Sequence, residues 1–360
     1  MKPTMIKGLA ALAIGCGLLA PTIVAAPAVA APSATYTAPA RTDYIGVLDG
    51  FSQTSPLIRQ QNLAEAVTIN QTASPAVARY AVDDNYAILK PSIANALGSK
   101  LAPAFSEALA AGQLPKTAAL LFGEDSILGK RVSTSKEKKH FQYPRPFEVA
   151  PQLIRRYGDS RPDLYAAVKG SGSFPSGHTA WGYAQAFVIA SLFPEVGPQV
   201  LARGAEYGYH RVVLGVHYPL DVIGGRMQAQ ATVAGMFSDP TVIAALTAAR
   251  AEVRSVLAQR LGAPIPVIVA GQRPYLPTPQ AVSSYRQRAT FSFLPTGPAT
   301  ALTVPAGAEN LIRAAHPGLS DAALRDILVR TALPAGYPLD KTGPDGGWQR
   351  LDIARAWVTR

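Results

Sequence analysis

The sequence predicts an all-α fold, and three observations carry that expectation. From about Ser55, apolar residues recur at helical spacing for nearly two hundred residues. Residues 177–192 (GHTAWGYAQAFVIASL) are apolar almost all round, as a buried central helix must be. The strict alternation of a half-buried strand is scarce, so the apolar faces have only other helices to bury against.

Each element has its own local reason. Ser74-Pro75 places a capping hydroxyl before a proline at the first helical position, opening a helix toward Tyr86. Pro103 to Ala111 reads as a short helix stopped by Gly112. Leu120, Leu121, Ile127, Leu128 and Val132 recur at helical spacing and predict a helix leading toward Lys138. After the central run, helices are expected over about 199–214 and 220–237. Asp239-Pro240 marks a break, and 241–261 is helical again. Residues 263–300 carry Pro264, Pro266, Pro274, Pro277, Pro279, Pro295 and Pro298, which predicts an extended connection hugging the surface or a loose linker. In the last segment Ser320-Asp321 caps a pattern through Leu324, Ile327 and Leu328, and Leu351–Val358 reads as a closing helix. About sixty residues make a marginal independent domain, so this segment is expected to dock on the bundle.

The amino terminus reads as a secretory signal. Lys2 and Lys7 precede an apolar stretch from Gly8 to about Ala20, and Ala28-Val29-Ala30 offers a cleavage site after Ala30. Pro21 and Pro27 argue against an uncleaved anchor. Apolar residues running on beyond Ala13-Ile14-Gly15-Cys16 argue against a lipoprotein. Cleavage would remove Cys16, the only cysteine, leaving no thiol, disulfide or Cys-based metal site. It would also remove two of 34 basic residues and none of 23 acidic ones, so 32 minus 23 leaves +9. No long Lys/Arg run or aromatic-basic interleaving points to nucleic acid, so the charge is read as steering anionic substrates. No later segment offers about 18 uninterrupted apolar residues, and no stable membrane insertion is expected. Self-association into a homo-oligomer stays open.

Four of the five histidines lie between residues 140 and 217. Two of them belong to a spaced constellation: Lys138-x6-Arg145-Pro146, then Pro175-Ser176-Gly177-His178, then Arg211-x5-His217-x3-Asp221. Asp221, four residues after His217, can accept the Nδ1 proton, fix the tautomer and leave Nε2 free to attack phosphorus. It would also stabilise the cationic ring, by the logic of a Ser-His-Asp triad. Ser176 and Gly177 precede the strongest helical run, where free N–H groups and the dipole suit a phosphate oxygen and a glycine allows close approach. His178 is placed to be the general acid. Lys138, Arg145 and Arg211 would clamp the equatorial oxygens, although Lys138 sits in Lys136-Glu137-Lys138-Lys139, a cluster that could equally be a solvated surface. Alone, His217 with Asp221 could be a helix cap, and the PSGH tetrapeptide an ordinary turn. Together the three pieces make a phosphoryl-transfer site with a histidine nucleophile. No carboxylate cluster offers a divalent-metal cage, so no metal or cofactor is expected.

The order and spacing of these motifs resemble the signature of the type 2 phosphatidic acid phosphatase and vanadium haloperoxidase superfamily. The stretch from Gly172 to Thr179 (GSFPSGHT) is similar to the octapeptide of bacterial class A non-specific acid phosphatases, with Phe174 for the usual Tyr. Leu201-Ala202-Arg203-Gly204 to Gly208, then Arg211-Val212, is similar to that class too. The resemblance covers roughly residues 50–237. It implies a helical bundle of that type, a phosphohistidine intermediate, small phosphate monoesters as substrates, no metal requirement and a preference for acidic pH. The chain departs from it where His210 precedes Arg211, since the family motif begins Ser-Arg. A histidine there could donate to phosphate in place of the hydroxyl or fill space beside the site.

The expected organisation is thus a signal peptide over 1–30, an irregular arm over 31–54, a phosphatase domain over 55–240, a helix and Pro-rich connection over 241–304, and a helical extension over 305–360. The expected activity is that of a periplasmic or secreted acid phosphatase. Alcohols could replace water as phosphoryl acceptor. A vanadium haloperoxidase and a lipid or pyrophosphate-lipid phosphatase use the same motifs. A non-catalytic envelope-binding protein has only the carboxy-terminal segments in its favour.

Overall fold

The computed structural model describes residues 41–360, apart from 42, 89 and 91, so the expected signal peptide and most of the expected arm lie outside the described residues. Every described element is helical, and the described residues all belong to one compact unit.

At the centre is the helix Gly177–Leu192, with every residue from Thr179 to Leu192 buried. Its sequence has no polar face, and it is enclosed by Gly197–Val213 and Pro219–Met236, its two principal packing partners. The helix Pro75–Asn85 lies against Gly197–Val213, and Pro56–Thr72 packs on both Gly197–Val213 and Pro219–Met236. Serine side chains cap both of these outer helices, Ser55 accepting from Ile58 N–H and Ser74 from Val77 N–H, each with proline in the first turn.

Three stretches differ from the sequence-based expectation. The helix predicted to lead into Lys138 ends at Leu121: Pro115–Leu121 is followed by turns, with Gly123 at φ +89°, before Ser135–Phe141 starts afresh. Part of the expected irregular arm is helical, as Ile45–Leu48 and the 3-10 turn Asp49–Gln53. Val47, Leu48 and Phe51 repeat at helical spacing and are buried, and the Phe51 ring stacks on Phe174 at 3.8 Å between centroids. The pull of Pro, Thr and Ala before residue 44 obscured that pattern. The Pro-rich stretch is likewise not an extended connection through its length, because it holds the helices Ile265–Ala270 and Thr278–Thr290. Pro264 and Pro277 are the N-cap residues, and Pro266 and Pro279 lie in the first turns. At those positions a missing N–H costs no helical hydrogen bond.

Thr278–Thr290 lies against Gly197–Val213, and the closing helix Ile353–Val358 touches both. The fully buried Arg226 guanidinium donates to the carbonyls of Gln349 (2.8 Å) and Leu351 (3.2 Å). The carboxy-terminal segment is therefore built into the same core. Among the described residues no single helix is long and apolar enough to cross a membrane. Pro219–Met236 and Pro240–Leu261 meet that test only as a pair, bent by 94°.

Candidate active site

The site is assembled where short elements meet helix ends. Lys138 lies in the last turn of Ser135–Phe141, which closes on Gln142 in the left-handed region (φ 45°). The chain then turns so that Arg145 is the N-cap of the short helix Pro146–Val149. Ser176 caps the central helix, its hydroxyl accepting from Thr179 N–H at 3.3 Å. The first N–H groups of that helix have no partner inside it. A Cβ on Gly177 would come 2.9 Å from the Thr134 hydroxyl, so a side chain there would have to displace Thr134. Arg211 occupies the last turn of Gly197–Val213, and His217 lies in the turn that leads to Pro219–Met236.

Asp221 is in the first turn of that helix, and one of its oxygens does two jobs. Oδ2 accepts from the Tyr218 backbone N–H at 2.9 Å, a helix cap, and lies 3.0 Å from Nδ1 of His217. The Ser173 hydroxyl donates to the same oxygen. The capping reading and the catalytic reading of the His-Asp pair are one arrangement.

The other ring nitrogen of His217 fixes the tautomer. Nη1 of Arg145 is 3.1 Å from Nε2. A guanidinium can only donate, so Nε2 is the unprotonated nitrogen and Nδ1 carries the proton given to Asp221. Arg145 is anchored by donating to the carbonyls of Val216 (2.7 Å) and Ser171 (3.1 Å) and to the Ser171 hydroxyl (3.0 Å). Lys138 is not a solvated member of its basic cluster: its ammonium donates to the carbonyls of Gly172 and Ser173. Ser176 joins through its backbone, N–H to the Asp221 carbonyl at 3.0 Å.

His178 and Arg211 share a partner on a helix distant in sequence. Nε2 of His178 lies 3.2 Å from the carbonyl of Asn85, and Nη1 of Arg211 donates to the Asn85 side-chain oxygen at 2.7 Å. His210 faces away from the cage, its Nδ1 2.7 Å from a carboxylate oxygen of Asp84.

Burial first, and then Arg145, Lys138, Arg211 and His178, hold the His217 imidazole well below its ordinary value. His178 is held low by burial and then by Arg211, with Arg145 and Lys138 adding to it. Burial and Arg145 bring Lys138 down to about 7, and burial is the main reason that Arg145 and Arg211 fall to about 10. Asp221 is pushed up to about 6 by burial, against the donors that favour its ionised form. Each cation makes its neighbours harder to protonate, and an anion held among them would oppose that mutual repulsion. Lys138, Arg145, Ser176, His178, Arg211, His217 and Asp221 are linked to one another by hydrogen bonds or by charge, and Gly177 follows Ser176 at the start of the central helix. Among the described residues, no group of three or more His, Cys, Asp or Glu is arranged to hold a metal ion.

Sequence reasoning gave no role to Ser173, Asp84 or Asn85. Ser173 stood inside the GSFPSGHT octapeptide, where a hydroxyl two residues before the proline was the available clue. Nothing local marked Asp84 and Asn85, since their partners lie more than 90 residues further on.

Residues 119–245, which hold all eight of these residues, match the family described as the PAP2 superfamily, and this segment is a domain of that superfamily. It is similar to bacterial acid phosphatases. Over 99 residues it is 34% identical to the non-specific acid phosphatase of Salmonella typhimurium, covering 28% of this chain and 38% of that protein. Over 70 residues it is 44% identical to the non-specific acid phosphatase of Providencia stuartii, covering 19% of this chain and 28% of that one. Over 127 residues it is 30% identical to an acid phosphatase of Zymomonas mobilis, covering 35% of this chain and 46% of that one. The chain thus matches less than half the length of each of these relatives.

Proposed function

We propose that this protein is an exported acid phosphatase that hydrolyses phosphate monoesters through a phosphohistidine on His217. The observation that carries the reading is the Asp221–His217–Arg145 chain, which leaves the unprotonated Nε2 facing a guanidinium, with two further cations acting on the same ring. Nε2 attacks phosphorus as the P–O bond to the alcohol breaks, and His178 gives that oxygen its proton. Asp221 stabilises the ring cation as the P–N bond forms. Lys138, Arg145, Arg211 and the helix start at Ser176 and Gly177 hold the equatorial oxygens, where charge builds during transfer. His178, now neutral, takes a proton from water, which attacks phosphorus, releases inorganic phosphate and restores His217. An alcohol in place of water would make the same step a phosphotransfer. Export rests on the amino-terminal pattern of charge, apolar run and Ala-x-Ala.

The test is phosphate release from nucleotides, sugar phosphates, phytate and lipid phosphates, with and without EDTA. Turnover of monoesters that survives EDTA and is inhibited by vanadate supports the reading, because vanadate adopts the transition-state geometry. Absence of turnover on every monoester, or its abolition by EDTA, sinks it.

A further inference from the structure

Two adjacent residues on one helix face two adjacent residues on another: Asp84 against His210, and Asn85 against Arg211. The Asp84 side of this pairing is heavily fixed. Arg203 and His210 both bind its carboxylate, and the Tyr207 hydroxyl donates to its backbone carbonyl at 2.9 Å. Residues 203, 207 and 210 share one face of Gly197–Val213 by helical spacing. The Arg203 guanidinium also lies 4.6 Å from the Tyr80 ring centroid, and that ring meets His210 edge-on at 5.1 Å. Asp84, Arg203 and His210 are all buried.

That much fixation has one visible outcome at the site, the position of Asn85. Its carbonyl can only accept, so Nε2 of His178 carries a proton toward it and Nδ1 is left to exchange a proton with the substrate. Its side chain holds Arg211. We propose that Asn85 is a positioning residue for both His178 and Arg211, and that His210 acts at one remove by holding Asp84 beside it. The proposal rests on the phosphatase reading and deepens it, since it says how the general acid is kept able to hold a proton. Around His178, Arg211, Arg145 and Lys138 all oppose protonation, and the Asn85 carbonyl favours it. The Tyr207 ring lies roughly parallel to the imidazole at 6.4 Å. It also explains the departure at position 210, where the imidazole serves Asp84 and does not touch the cage.

The experiment compares Asn85→Ala and Asn85→Asp with the wild type on an aryl phosphate and an alkyl phosphate. Asn85→Ala loses the grip on Arg211 and loosens the carbonyl. It should lose about tenfold or more additional turnover on the alkyl ester relative to the aryl ester, and its alkaline limb in kcat should move to lower pH. Asn85→Asp keeps an acceptor for Arg211 and should restore both readouts most of the way. If Asn85→Ala is insoluble, His210→Asn carries the same comparison, with the same direction expected. An equal loss on both esters with an unmoved pH profile would mean a merely structural role and overturns the proposal. A wild type inactive on both esters overturns the phosphatase reading itself.

Discussion

Arg145 Nη1 rests 3.1 Å from His217 Nε2, so a cation of the proposed phosphate clamp directly faces the proposed nucleophile. In the proposed mechanism a phosphoryl group entering between them would take over both partners, the guanidinium turning to an oxygen and the imidazole being freed toward phosphorus. Arg145→Lys keeps the charge but not the planar fork that also anchors on Ser171 and Val216. We expect kcat/KM to fall by about a hundredfold or more, read from initial rates on an aryl phosphate, with Asp221–His217 intact. A variant within twofold of wild type would leave Arg145 without the assigned role.

The pH dependence of anion binding follows from Lys138. Burial, and then the neighbouring Arg145, bring its ammonium down to about 7. Below that value the charge is present and binding is strongest. As pH rises through about 7, the free site loses the proton, and a bound phosphate must recruit it back. The inhibition constant for sulfate, which stays a dianion across this range, should therefore rise above pH 7, and calorimetry in buffers of different ionisation enthalpy should show proton uptake on its binding. Lys138→Met should remove that uptake. Affinity that increases with pH would contradict the assignment.

Stability should depend on the carboxy-terminal segment. Arg226 is fully buried and donates to Gln349 and Leu351, so the segment supplies acceptors to a charge that water cannot reach. Truncation after Pro240 removes those acceptors and uncovers Gly197–Val213. It should lower the melting temperature sharply or abolish folding. Arg226→Ala leaves the buried Gln349 carbonyl without its side-chain donor, at a cost of about 1–3 kcal/mol measurable from urea midpoints. An unchanged midpoint in both variants would show that the docking contributes nothing.

The all-helical core was legible because its signals are local and redundant. The central helix advertises itself by sixteen residues with almost no polar position, and the structure begins and ends it at Gly177 and Leu192. The candidate site residues were legible because they occur in three short motifs, each of which falls at helix ends or across the turn that joins two helices. What the sequence hid depends on distance or on context. Asn85 meets His178 and Arg211 only once Pro75–Asn85 packs on Gly197–Val213. The prolines of residues 263–300 look like breakers by count, yet Pro266 and Pro279 sit in the first turn of a helix, where they favour the very element they seemed to forbid. Phe51 was lost because the Pro, Thr and Ala residues before position 44 masked the helical spacing of Val47, Leu48 and Phe51.

The proposed mechanism requires a covalent phosphoryl group on His217. Rapid mixing with an aryl phosphate, followed by denaturing quench at alkaline pH, digestion and mass spectrometry, should find one added phosphoryl group on the peptide that contains His217. His178→Ala should increase its yield, because hydrolysis of the intermediate needs the base that activates water. His217→Ala should carry no phosphoryl group and lose turnover by about a thousandfold or more. A phosphorylated peptide that lacks His217, or near wild-type turnover in His217→Ala, would contradict the account.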